Sequence, residues 1–126
     1  MTQHSAAATY RRNAVLTASP GKLVKMLYDG AIMNLERTRR ELGDPANRRS
    51  AAAGESLGKA YGIIGELRAA LDFDIGGDLA RKLDTVYDFS LDQLTSANTT
   101  RDPVHIDNTL RVMRTLKEGW DAVLTG

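Results

Sequence analysis

The residues able to do chemistry in this chain are few and widely separated. His4 and His105 are the only two histidines, and neither belongs to the Glu-x-x-His pairs that a bundle di-metal site draws from facing helices. Two isolated histidines also fall short of the three protein ligands of a catalytic zinc site unless a carboxylate joins them. With no cysteine in 126 residues, disulfides, thiolate nucleophiles and sulfur-ligated metals are excluded. No Gly-x-x-x-x-Gly-Lys phosphate loop, dinucleotide fingerprint or haem attachment motif is present. His105 reads as a surface residue in the first turn of the last helix, and His4 as part of a polar terminus. The expectation is a binding protein and not an enzyme, with no metal and no cofactor.

Charge narrows the partner class. Seventeen basic against sixteen acidic residues leave a net charge of +1, too balanced for a nucleic-acid-binding face. Arg37, Arg39, Arg40, Arg48 and Arg49 do cluster. Glu36 and Glu41 interrupt them and no aromatic lies among them, so a solvated helix end is favoured over a patch for an acidic partner. No apolar run approaches the ~18 residues of a membrane span. Residues 1–9 lack the apolar centre of a signal peptide. Location in the cytosol is therefore expected, without membrane insertion.

What remains are apolar groups that a core does not need. At about 100° per residue, Met26 and Met33 fall on the far side of their helix from Leu23, Leu27, Tyr28, Ala31 and Leu35. Methionine is flexible and polarizable, suited to repacking around a ligand, but both could simply flank a bundle edge. Gly54, Gly58, Gly62 and Gly65 form a ridge continued by Ala69. Each mid-helix glycine costs about 1 kcal/mol relative to alanine, a penalty with a purpose if another backbone approaches closely. Two visitors are open: a neighbouring helix of the same bundle, or a bound peptide helix. Phe89 points away from the Leu83, Val86 and Tyr87 face, either covered by a loop or serving as a binding anchor.

These groups must be positioned by helices. Ser19-Pro20, Asp44-Pro45 and Asp102-Pro103 each put a capping residue before a proline at the first helical position, and a further start follows Gly76-Gly77 at Asp78. The segments so marked are 20–43, 45–72, 78–100 and 103–124. Each carries a stripe at helical spacing: Leu23, Leu27, Ala31, Leu35 and Leu42; Leu57, Tyr61, Ile64, Leu67 and Leu71; Leu79, Leu83, Val86, Tyr87, Leu91 and Leu94; Ile106, Leu110, Met113, Leu116, Trp120 and Leu124. Tyr61, beside the glycine ridge, also counts among the candidate partner contacts. The fold expected is all-α, one domain over 1–126: an antiparallel four-helix bundle (19–124) preceded by an arm or short capping helix (1–18).

Three ordered blocks also resemble a known family. The run from Tyr10 through Asn13, Val15, Leu16, Ser19, Pro20, Lys22, Leu23, Met26, Leu27, Tyr28 and Asp29 to Ala31 is similar to the N-terminal signature of FliS-type flagellar secretion chaperones. Leu71-Asp72-Phe73-Asp74-Ile75-Gly76-Gly77-Asp78-Leu79, leading through Leu83 to Phe89 and on to Ala97-Asn98, resembles its helix–Gly-Gly–helix centre; the stretch Leu116 to Trp120 is similar as well. Membership implies a bundle whose arm can cap it, with Tyr10, Val15 and Leu16 among the partner contacts. It implies a cytoplasmic holdase for the disordered C-terminal segment of flagellin. Such a protein blocks premature polymerisation and aids delivery to the flagellar type III export apparatus. The export gate and a flagellar regulatory protein are further implied partners; an adaptor that sequesters such a regulator is the alternative reading. Gly21 and Lys25 depart from the family pattern, where an acidic and an apolar residue are expected.

Overall fold

The computed structural model describes residues 20–124, which form four helices: α1 (Pro20–Gly43), α2 (Ala51–Ala69), α3 (Phe73–Thr100) and α4 (Pro103–Leu124). Connections this short make sequential helices run antiparallel. α1 packs on α2 and α4, and α3 packs on the same two, which closes the ring. The expected all-α four-helix bundle is what the described chain forms. The arm, with Tyr10, Val15 and Leu16, lies outside the described residues.

The stripes meet in the middle. Leu35, Leu42, Ile64, Leu94, Ile106 and Met113 are each less than 2% exposed, and burial of this kind stabilises by roughly 1.5–3 kcal/mol per large side chain. Tyr28 of α1 and Tyr87 of α3 hydrogen-bond across the diagonal through their hydroxyls. Burial pushes both phenols above their ordinary pKa. Thr38 and Ser56 share a second buried hydrogen bond, 2.7 Å, that ties α1 to α2.

One helix start differs from expectation, and another is preceded by an extra turn. Asp44-Pro45 opens only a turn: Asp44 Oδ1 accepts from the Ala46 N–H at 3.0 Å and its carbonyl from the Asn47 N–H at 2.9 Å. α2 proper begins at Ala51, where Ser50 Oγ accepts from the Ala53 N–H at 3.1 Å. The better-placed hydroxyl cap wins over the proline signal. The span α3 opens with a short turn at Phe73, where Asp72 Oδ1 accepts from the N–H groups of Asp74 and Ile75, and its main helix starts after Gly76-Gly77, as expected. Gly77 then breaks the ladder with φ 51 and ψ −126, a conformation only glycine adopts readily. The long regular part of α3 follows this break. Two stripe residues also stand outside the core: Tyr61 is 45% and Leu79 58% exposed. Leu79 sits just past the Gly77 break, at the end of the bundle. Tyr61 lies on the flank of α2 turned toward α3.

Charge treats the seams unequally. Along α1 and α4, ion pairs recur from end to end: Lys25–Asp121 at 3.7 Å, Asp29–Lys117 at 3.5 Å, Glu36–Arg114 at 2.8 Å and Arg39–Asp107 at 2.6 Å. Lys25 thus has a partner on the neighbouring helix, which accounts for a cation in an otherwise apolar turn. Between α2 and α3 the ion pairs cluster at one end, where Arg68 reaches Asp84 at 2.7 Å and Asp88 at 3.0 Å. Exposed pairs contribute little to stability, about 0–1 kcal/mol each; their placement leaves the middle of the α2–α3 seam to apolar groups.

Candidate partner-binding groove

Toward the N-terminal end of α2 and the C-terminal end of α3 that seam opens into a groove of about 250 Å³, lined by Gly54, Leu57, Gly58 and Tyr61 of α2 and by Leu94, Thr95 and Asn98 of α3. Its shape follows from the glycines. A Cβ at Gly58, Gly62 or Gly65 would meet nothing within 4 Å. No neighbouring helix of the bundle uses the space these three residues leave. Gly54 is different, since a Cβ there would come within 3.3 Å of Arg101 Nη2. The α1–α2 packing draws instead on Gly30, where a Cβ would lie 3.3 Å from Ile63 Cδ1. The two readings of the ridge therefore divide: a contact within the chain explains Gly54, and Gly58, Gly62 and Gly65 face open space.

The groove has an apolar floor and a polar rim. Leu57 and Leu94 are 3% and 1% exposed and form the floor, while Tyr61 stands as a partly exposed wall. An aromatic with one apolar face and one wet end is a common anchor for a partner. Thr95 and Asn98 place polar groups on the α3 rim.

Charged groups flank the groove along the seam. At one end, Arg101 terminates α3 in the left-handed region with φ 58. Its guanidinium donates to the carbonyls of Asn98 (3.1 Å), Arg48 (3.3 Å) and Ser50 (3.4 Å). Arg49 donates to the Thr99 carbonyl from the same side. Arg48 also donates to the Leu42 carbonyl at 3.0 Å, and Arg39 pairs with Asp107. Three members of the arginine cluster thus serve helix ends and seams. Beyond the groove, at the far end of the α2–α3 seam, Asp84 and Asp88 share Arg68, whose charged form is favoured first by its hydrogen bond to Asp84.

The other candidate contacts occupy different faces. Met33 (53% exposed) and Met26 (half-buried) are on α1, which does not border this groove. Phe89, 46% exposed, stands about 140° around α3 from Leu94, five positions at about 100° each. Sequence reading assigned Leu94 to the core and passed over Thr95, Asn98 and Arg101. The i, i+4 spacing of Leu94 and Asn98 opposite the glycines is the signal that could have found the α3 rim. Arg101 carried none, because a left-handed arginine at a helix end has no marker in the sequence.

The described residues thus form an antiparallel helical ring with an apolar, side-chain-poor groove on its outer surface. Among the described residues no group of three or more His, Cys, Asp or Glu is placed to hold a metal ion, and no helix is long and apolar enough to cross a membrane. The family model described as "Flagellar protein FliS" matches residues 2–126. The chain belongs to that family. It is 41% identical over 108 residues to a flagellar secretion chaperone FliS of Vibrio cholerae, covering 84% of this chain and 76% of that one. It is 37% identical to the flagellar secretion chaperone FliSB of Pseudomonas aeruginosa (86% and 84% covered) and 37% identical to FliS of Salmonella typhimurium (88% and 81% covered).

Proposed function

We propose that this chain is a cytoplasmic holdase for flagellin, which binds its disordered C-terminal segment, prevents premature polymerisation and aids delivery to the flagellar type III export apparatus. The observation that carries the reading is the open flank of α2. Gly58, Gly62 and Gly65 weaken their helix by roughly 1 kcal/mol each, and nothing in the described chain fills the space they leave. A disordered segment gains helix only when its apolar face is covered, and a groove with a bare backbone wall lets a second helix approach closely enough to recover the ordering entropy. Tyr61, Gly54, Leu94 and Asn98 are the remaining contacts proposed for this groove. Met26, Met33 and Phe89 are proposed for portions of the client that pass over other faces. Tyr10, Val15 and Leu16 are proposed as arm contacts on the resemblance alone.

The test is calorimetric titration with a peptide of the flagellin C-terminal segment. Saturable 1:1 binding that leucine at Gly58 and Gly62 weakens is the expected result. Absence of binding, or equal binding by the double leucine variant, overturns the assignment of the groove. Capture of a flagellar regulatory protein in place of flagellin would favour the adaptor reading.

A further inference from the structure

Three of the exposed large apolar side chains fall within residues 73–79, where α3 opens: Phe73 is 46%, Ile75 87% and Leu79 58% exposed. A single exposed aliphatic is ordinary for a protein surface, but three within one short stretch form a patch. None of them lines the client groove, and Leu79 stands about 22 Å from Leu94 along α3 at 1.5 Å per residue. The turn that carries them is built and not frayed. Asp72 Oδ1 accepts from the Asp74 N–H at 3.0 Å and the Ile75 N–H at 3.1 Å, and the Asp72 carbonyl accepts from the Gly76 N–H at 2.8 Å. Gly77, at φ 51, then sets the angle at which the turn leaves the long helix. An apolar side chain held in one backbone geometry loses little freedom when a partner covers it, as a binding anchor requires. With solvent on nearly every side, Ile75 projects as a knob and is not the wall of a groove.

Charge defines what would receive the knob. Asp72, Asp74 and Asp78 are interleaved with the three apolar residues. Arg81 pairs with Asp78, and among the described residues no cation pairs with Asp72 or Asp74. Carboxylates around an apolar centre repel a second copy of the same turn, and they repel an anionic lipid surface as well. We propose that this turn is a docking knob for a second, folded protein that offers an apolar cleft rimmed by lysine or arginine. A disordered client calls for a groove that covers it, whereas a projecting side chain calls for a partner with a cleft of its own. Because the knob and the α2–α3 groove lie apart on the molecule, both are occupied at once.

Photo-cross-linking of the full chain in its own cells tests the knob. Benzoylphenylalanine replaces Ile75 or, as a control, Ala52, which is exposed near the opposite end of α2. The expected result is an intermolecular adduct from position 75 and not from position 52. Mass spectrometry is expected to identify the adduct as one protein that is neither flagellin nor this chain. Binding of that protein, once purified, should weaken about tenfold or more with Ile75→Asp, and should weaken also with Asp74→Lys and with added salt. Both variants are expected to bind the flagellin C-terminal peptide as the parent does, which separates the knob from the groove. No adduct, or one to flagellin, to lipid, to a second copy or within the chain (residues 1–19 having taken the turn), overturns the proposal. So does a purified partner whose affinity is indifferent to either variant. Failure of the flagellin peptide to bind the parent removes the groove assignment and leaves the knob standing.

Discussion

Gly58, Gly62 and Gly65 show how much a missing side chain can say. Each is helical, and none has a neighbour within 4 Å of where a Cβ would stand. Alanine at each position is therefore expected to raise stability by roughly 0.5–1 kcal/mol, read as a higher midpoint in urea unfolding; a lowered midpoint would mean the positions are not open. Leu110, 4% exposed between helices, should behave oppositely. Its truncation to alanine leaves a cavity and is expected to lower stability by roughly 2–5 kcal/mol, checked by the same unfolding curve. Spacing alone placed Leu110, Leu35 and Ile64 in the core, because a buried face must recur with the helical period. It misplaced Tyr61 and Leu79, since period reveals which flank a residue shares and not whether a neighbouring helix reaches far enough to cover it.

At the scale of elements, two of the three prolines coincide with helix starts, Pro20 for α1 and Pro103 for α4, and the third does not. Asp44-Pro45 began a turn that the chain abandons, and Ser50 supplied the effective cap for α2. Ser50→Ala is expected to lower stability by about 0.5–2 kcal/mol, measured by thermal unfolding, while Pro45→Ala should leave α2 intact. Where two capping signals lie only six residues apart, local pattern does not rank them; the hydrogen bond each can complete does. The Gly76-Gly77 pair was legible as the boundary from which the long helix starts; the short turn that Asp72 caps before it was not. Gly76 is required because a Cβ there would fall 2.8 Å from that of Ala80, and Gly77 because of its positive φ. The groove itself was legible on its α2 side, where composition is unusual, and not on α3, whose rim residues Thr95 and Asn98 are ordinary for a helix surface.

For the whole molecule, pH provides two separate probes of the ring. Asp121 on α4 has its pKa lowered, first by the hydrogen bond from Lys117. A carboxylate lowered on folding contributes stability above its unfolded value, and that contribution is lost as pH falls through the folded one. The thermal midpoint is expected to drop on acidification below about pH 4, and Asp121→Asn should flatten that part of the profile. Tyr28 and Tyr87 have raised pKa values, chiefly from burial, so their contribution is complete below the ordinary phenol value and is lost as pH rises above it. The double variant Tyr28→Phe, Tyr87→Phe should unfold at a higher alkaline pH than the parent, followed by circular dichroism. An unshifted transition would place the alkaline weakness elsewhere, for example at Lys117, whose pKa is also raised. The bare flank of α2 carries a final consequence, in time and not in space. Its amides lack the side-chain cover that slows the entry of water, and its helix is the least favoured by composition. Hydrogen–deuterium exchange should accordingly run fastest in the middle of α2 and slow there most when a client is seated.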